Sequence, residues 1–224
     1  MTTAAENIRL VVLDMAGTTV ADGGLVEEAF TVAAERLGAD PAAMLDHVRA
    51  TMGESKIAVF RHLFGDEARA QRANRAFEDA YAELVDGGRV AALPGARATI
   101  EHLTAQGRTV VLSTGFARPT QDAVLGALGW RDLVPLTLCP ADAGGRGRPY
   151  PDMVLTAFLR TAVADSVRQI AVVGDTSSDM RSGVRAGAGV VAGVLTGAHD
   201  ADALRAAGAT RVLDSVADLP GALA

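Results

Sequence analysis

Short runs of apolar residues, each closed by a polar residue or a glycine, recur along the chain: IRLVVLD (8–14), TVVLST (109–114), VPLTLC (134–139), QIAVVGD (169–175) and GVVAGVLTG (189–197). Runs this short and this continuously apolar predict strands covered on both faces of a parallel sheet. Between them, apolar residues recur at helical spacing over 96–105, 119–128, 151–161 and 179–186. Strand and helix in alternation predict an α/β fold with a doubly wound parallel sheet. ATRVLDSV (209–216) adds a candidate edge strand. In such a sheet ligands sit outside the carboxyl ends of the strands, so the residues that close each apolar run are the ones to inspect for chemistry.

Residues 21–92 break this rhythm. They carry helical periodicity and no strand-like run, with helices predicted over 25–37, 41–50, 55–64 and 66–85, joined at Gly38, Gly53 and Gly65 and closed by Asp86-Gly87-Gly88. The chain therefore divides into an α/β core, residues 1–20 and 93–224, and an all-helical insertion, residues 21–92, that caps the strand tips. Hinge motion is expected near residues 20–24 and 87–94.

Composition narrows the choice of partners. The 224 residues suit one large domain or a core with a modest insertion, and 49% hydrophobic against 21% charged residues is a globular balance. With Lys+Arg 21 against Asp+Glu 27, the net charge of −6 argues against a non-specific hold on nucleic acid or an anionic membrane. The single cysteine, Cys139, has no partner for an internal disulfide and reads as a small buried residue. The start, MTTAAENIRL, has no secretory pattern, and the glycine-rich stretch 186–198 falls short of the roughly 18 residues of a membrane span. A cytoplasmic, soluble protein is expected.

Several run-closing residues carry candidate chemistry. Asp14 precedes Met15-Ala16-Gly17-Thr18-Thr19, a turn rich in donors, and suits a nucleophile or a metal ligand as well as an ordinary turn aspartate. Gly174-Asp175-Thr176-Ser177-Ser178-Asp179 brings two further carboxylates to the same sheet edge. Carboxylates gathered there repel one another unless a cation is present, and Mg²⁺ meets that need; Asp179 equally suits capping of the helix that follows. Ser113-Thr114-Gly115 offers a hydroxyl and backbone N–H groups of the kind phosphoryl oxygens require. In Gly147-Arg148-Pro149-Tyr150-Pro151 the prolines fix Arg148 either against a phosphoryl group or as a solvated loop arginine. Lys56 is the sole lysine among 21 cationic side chains. A neutral, nucleophilic amine is the task arginine performs worst, although position alone fits a solvated surface lysine.

Taken together, Asp14 with Ala16-Gly17-Thr18-Thr19, Ser113-Thr114-Gly115-Phe116, Gly147-Arg148-Pro149-Tyr150-Pro151 and Gly174-Asp175-Thr176-Ser177-Ser178-Asp179-Met180 resemble the haloacid dehalogenase superfamily, specifically its phosphonatase branch, over most of the chain. Ala16 stands where the superfamily's phosphatases carry a second aspartate, and Arg148 where they carry lysine. Met52-Gly53-Glu54-Ser55-Lys56 matches the branch's cap motif Met-Gly-x-x-Lys, whose lysine forms a Schiff base. The resemblance implies a Rossmann-like core with a helical cap. It implies Asp14 and Lys56 as catalytic residues, with Ser113, Thr114, Gly115, Arg148, Met52 and Gly53 around the substrate. It further implies Mg²⁺ at Asp14, Ala16 and Asp175, with Asp179 as a supporting carboxylate, and a homodimer through the cap. Val59 and Gly24 depart from the branch, which carries histidine and cysteine there, as do Met15 for an aromatic and Phe116 for a tyrosine. His62 reads as an ordinary cap residue, and His47, His102 and His199 form no readable cluster.

The chemistry runs in the same direction. A monoester leaves as an alkoxide that benefits from a general acid, and Ala16 has no proton to give. A carbon leaving group needs an electron sink, which an imine between Lys56 and a carbonyl β to phosphorus provides. The expected activity is Mg²⁺-dependent hydrolysis of phosphonoacetaldehyde or a related 2-oxoalkylphosphonate through an aspartyl phosphate. The rivals are a phosphate monoester phosphatase of the same superfamily and a phosphonate-binding relative without turnover. A depressed Lys56 pKa is expected from its place at a helix start, facing Mg²⁺ and Arg148.

Overall fold

A computed structural model describes residues 8–224; the start of the chain expected to lack a targeting segment falls mainly on residues 1–7, outside the described residues. Strands β1 (Leu10–Asp14), β2 (Thr109–Ser113), β3 (Leu136–Leu138), β4 (Ile170–Gly174), β5 (Val190–Val194) and β6 (Arg211–Leu213) form one sheet in the order β3-β2-β1-β4-β5-β6. All neighbours pair in parallel. The apolar runs are strands because both sheet faces are covered: every residue of β1, β4 and β5 is buried. The candidate edge strand at 209–216 is present as β6, trimmed to three residues.

The chain winds outward from β1 to β2 and β3, then returns to place β4 on the other side of β1. This reversal puts a crevice at the carboxyl ends of the central strands. Register aligns Asp14 with Ser113 and Leu13 with Val173, so Asp14, Ser113 and the turn after Gly174 share that edge. Helices α5 (Ala96–Ala105), α6 (Arg118–Ala127), α7 (Asp152–Thr161), α8 (Ser177–Ala186), α9 (Ala201–Ala206) and α10 (Leu219–Ala222) complete this part of the chain. The sequence periodicity did not reveal α9 and α10, which bury one residue each, Leu204 and Leu219. Helix α8 begins two residues earlier than its periodicity indicates, because Thr176 caps it: the Asp179 N–H donates to Thr176 Oγ1, and the Thr176 N–H donates to Asp179 Oδ2 at 3.1 Å.

Between β1 and α5 run four helices, α1 (Leu25–Arg36), α2 (Ala42–Ala50), α3 (Lys56–Phe64) and α4 (Glu67–Asp86). The Val20–Ala92 bridge and the bonds from Ala21 N–H to Ala91 O (2.9 Å) and from Leu93 N–H to Thr19 O (3.0 Å) tie the two connecting segments together. The helices bury their apolar faces on one another around Phe30, Phe60 and Phe77, with Phe30 4.8 Å from each of the other two ring centroids. The aromatic chain continues through Tyr81 to Phe116, 4.7 Å away at the tip of β2, and so bridges the inserted helices and the sheet.

Glycines allow the closest approach between the two parts. Gly53 (φ +84°) lies against Thr176, and a Cβ on Gly115 would stand 2.5 Å from the Glu54 carbonyl oxygen and 2.9 Å from that of Gly53. The Gly115 carbonyl accepts from the Lys56 N–H at 3.3 Å, so the loop before α3 lies directly on the turn after β2. Overpacking of this kind costs about 1–3 kcal/mol. Gly115→Ala is therefore expected to bias the insertion toward an open position and to speed acylation of the single, buried lysine by about tenfold or more, read by intact mass against time.

Candidate active site

Asp14, Asp175 and Asp179 converge at the sheet edge, each offering an oxygen within 4.8 Å of the others, and all three are buried. Asp14 is delivered by β1, Asp175 by the turn after β4 and Asp179 by the first turn of α8. Thr18 donates from its hydroxyl to Asp175 Oδ1 (3.1 Å) and the Ala198 N–H donates to Oδ2 (2.9 Å), which fixes that carboxyl between the turn after β1 and the loop after β5. Burial and the neighbouring Asp14 and Asp179 push the Asp175 carboxyl well above the usual carboxylate range. Burial also pushes Asp179 up to about 6, against the pull of Arg148.

Arg148, only 4% exposed, is the cation of this cluster. Its Nη1 donates to Asp179 Oδ1, and Nη2 stands 2.7 Å from Asp14 Oδ1 as an ion pair. Burial opposes its charge, yet the two carboxylates hold the guanidinium more firmly protonated than usual. Nη2 meets Asp14 in that ion pair, and Nε has no hydrogen-bond partner among the described residues. The sequence left open a phosphoryl anchor or a solvated loop side chain. Arg148 is not solvated, and it lies against carboxylates rather than on the wall of the cavity described next.

That cavity, of about 450 Å³, opens above the carboxylates between the sheet edge and the inserted helices. Asp14, Ala16, Thr114, Gly115 and Asp175 line it from below, and Met52, Gly53 and Lys56 from above. Of the residues singled out from sequence, Ser113, Arg148 and Asp179 lie beneath or beside this wall. Ser113 sits opposite Asp14 at the end of β2. Thr114 Oγ1 accepts from the Phe116 N–H at 3.2 Å, which leaves its hydroxyl proton for a ligand.

Lys56 is 6% exposed, not a surface lysine. Among the described residues no carboxylate lies within ion-pair distance of its amine, which stands 5.5 Å from the Phe116 ring centroid and 5.8 Å from that of Phe30. Burial first, and the Arg148 charge second, lower its pKa to about 8, against the opposing pull of Asp14, Asp22 and Asp175. The sequence-based expectation of a depressed value agrees, but desolvation rather than the helix start is its main cause.

Pattern reasoning missed other cavity residues. Asp22 and the Glu27–Arg49 pair line the same space. Arg49 donates to both oxygens of Glu27, from Nε at 2.9 Å and Nη2 at 2.8 Å. The Thr196-Gly197-Ala198 loop lines it too, and the strand-tip rule applied to β5 would have found this loop. Among the cap residues His47 and His62 stack at 4.1 Å, a contact between α2 and α3 that spacing alone does not show. His199 accepts from the Ser177 N–H at 2.8 Å.

Comparison with known proteins bears on what this geometry is. A sequence profile of the hydrolase family described as haloacid dehalogenase-like hydrolase matches residues 8–187, which include Asp14, Lys56, Arg148, Asp175 and Asp179. The chain belongs to that family. The hydrolase is 26% identical over 250 residues to a phosphonoacetaldehyde hydrolase of Nitratidesulfovibrio vulgaris, covering 94% of this chain and 88% of the relative. It superposes on a phosphonoacetaldehyde hydrolase-like protein of Oleispira antarctica with TM-score 0.84 and 25% identity, covering 98% and 92% of the two chains. A hydrolase of Pseudomonas syringae shares the fold, with TM-score 0.85 and 24% identity over 96% and 97%.

The donor set fits a hard divalent cation. Three buried carboxylates face a single guanidinium, and Asp175 has its pKa driven up by burial and then by the other two, so the cluster is short of positive charge. The Lys56 pKa has a separate consequence for stability. The folded state releases the lysine proton near pH 8 and the unfolded chain near 10.5, so between these values the unfolded state binds more protons and stability rises with pH. Lys56→Met lacks this slope. In denaturant unfolding the wild type is expected to gain on that variant by about 1.4 kcal/mol per pH unit from pH 8 to 10.5 and to run parallel to it below pH 7.

Proposed function

We propose that this hydrolase cleaves the carbon–phosphorus bond of phosphonoacetaldehyde or a close 2-oxoalkylphosphonate, giving phosphate and a carbonyl product. The observation that carries the reading is the single lysine, buried with a depressed pKa in the same cavity as Asp14. A monoester phosphatase has no use for a desolvated amine there. A phosphonate with a carbonyl β to phosphorus does.

The neutral Lys56 amine adds to the carbonyl, and loss of water leaves a protonated imine. Asp14 attacks phosphorus; the electrons of the breaking C–P bond flow into the imine and yield an enamine, while the phosphoryl group passes to the carboxylate. Protonation and hydrolysis release the carbonyl product from Lys56, and water hydrolyses the aspartyl phosphate. Thr114 and the Gly115 N–H, on the cavity wall, would donate to the phosphoryl oxygens, and the Arg148 guanidinium would add charge from below. Asp14, the Ala16 backbone and Asp175 would hold Mg²⁺, with Asp179 in support, and the bound ion supplies positive charge against the phosphoryl oxygens. Ala16, where a second aspartate would act as acid, brings no proton to the site, consistent with a leaving group already activated by the imine.

Phosphate release is the test. Wild type with Mg²⁺ is expected to release phosphate from phosphonoacetaldehyde, EDTA to stop it, and Lys56→Arg to slow it by about 10³-fold or more. Turnover of sugar phosphates that survives Lys56→Ala, with the phosphonate untouched by either protein, would move the activity to monoesters.

A further inference from the structure

Imine chemistry needs a proton carrier as well as an amine. The hydroxyl of the carbinolamine leaves as water only if an acid protonates it, and hydrolysis of the product imine needs a base. The ionisable residues lining the cavity with Lys56 are Asp14, Asp175, Glu27, Arg49 and Asp22. Asp14 is engaged with Arg148 and faces phosphorus in the proposed reaction. Asp175 has both oxygens held, by Thr18 and Ala198, within the carboxylate cluster. Glu27 and Arg49 neutralise each other through two hydrogen bonds. Glu54, whose charge also reaches Lys56, does not line the cavity. Asp22 is what remains.

The surroundings of Asp22 suit the task. It lies in the segment that connects β1 to α1, and its Oδ1 accepts from the Val26 N–H at 3.2 Å in the first turn of α1. The carboxyl is thus anchored at the start of α1, where the Gly24 N–H also reaches it. The groups that act on it are Lys56 from α3, Glu27 from α1 and, as the group whose own ionisation it disfavours, Tyr81 from α4; Arg49 of α2 and the Asp14 and Asp175 carboxyls share the cavity. From the geometry we infer that Asp22 is the acid–base group of the Lys56 imine cycle, acting on the oxygen of the substrate-derived carbinolamine. This inference rests on the phosphonate reading and deepens it.

The step balances. Lys56–NH₂ adds to the carbonyl to give N–H and C–OH. The Asp22 carboxylic acid passes its proton to that oxygen, water leaves, and the nitrogen lone pair closes the C=N bond, leaving a protonated imine beside the Asp22 carboxylate. In the reverse sense the carboxylate takes the proton of the water that attacks the product imine. Burial raises the Asp22 pKa despite the Val26 N–H and the Lys56 charge, so the carboxyl holds its proton more readily than an exposed aspartate.

Asp22→Asn keeps an oxygen for the Val26 N–H and removes the transferable proton. The experiment is the time course of borohydride-trapped adduct, by intact mass, on mixing wild type, Asp22→Asn and Asp22→Glu with phosphonoacetaldehyde, with inorganic phosphate affinity as a check that the sheet edge is intact. The expected result is trapping slowed by about 10²-fold or more in Asp22→Asn and largely restored in Asp22→Glu, with phosphate affinity unchanged in both. Trapping by Asp22→Asn at the wild-type rate would overturn the role of Asp22 while leaving the imine reading standing. So would loss of trapping and phosphate affinity together in both variants, which marks a structural residue. Absence of any adduct in wild type would overturn the phosphonate reading, and this inference with it.

Discussion

Crowding of charge in a buried place is the constraint on which this structure depends. Three carboxylates close within 4.8 Å at the carboxyl edge of a parallel sheet, with one guanidinium to offset them. An arrangement of this kind is costly to desolvate, and a carboxyl with no adequate counter-charge responds by holding its proton. The raised pKa values of Asp175 and Asp179 express that cost. Stability alone gives no reason to gather such groups at the crevice where the sheet reverses its winding. A site that must meet a cation and an anionic group together does.

The same crowding shapes the amine above it. Burial against Phe30 and Phe116 removes the water that would solvate a positive charge, Arg148 discourages a second one in the cavity, and Lys56 is left with a pKa of about 8. On the proposed reading the two halves of the site are complementary: the sheet edge would meet a phosphoryl group, and the inserted helices would supply a nucleophile that works only when uncharged. Contact of the loop before α3 with Gly115 and Thr176 brings them into one cavity. Opening that contact would hydrate Lys56 and raise its pKa, so on the proposed reading closure would prepare the amine as well as exclude water.

The fold was legible because its strands are apolar on both faces and end in residues that announce themselves; Asp14, Ser113 and Gly174 stand at strand ends or one residue from them. Helices α9 and α10 were not, since a helix that buries one residue leaves no periodicity to read. The motifs located Asp14, Lys56, Thr114, Gly115, Asp175 and Asp179 near one another, but spacing does not say which way a loop side chain turns. That is why Arg148 could be read as solvated; Ser113, the last residue of β2, stands outside the cavity wall. Asp22, Glu27 and Arg49 carried no signal at all: their place in the cavity follows from how α1 and α2 pack over the sheet edge, which is a property of tertiary structure.

The account stands on Lys56 acting as a nucleophile toward a carbonyl in this cavity. The most direct measurement is peptide-resolved mass spectrometry after phosphonoacetaldehyde and borohydride are added together to the intact protein. The account predicts one phosphonoethyl or ethyl group per chain, located on Lys56 and absent when Lys56 is arginine. Release of phosphate from the phosphonate with no such adduct on Lys56 would contradict it.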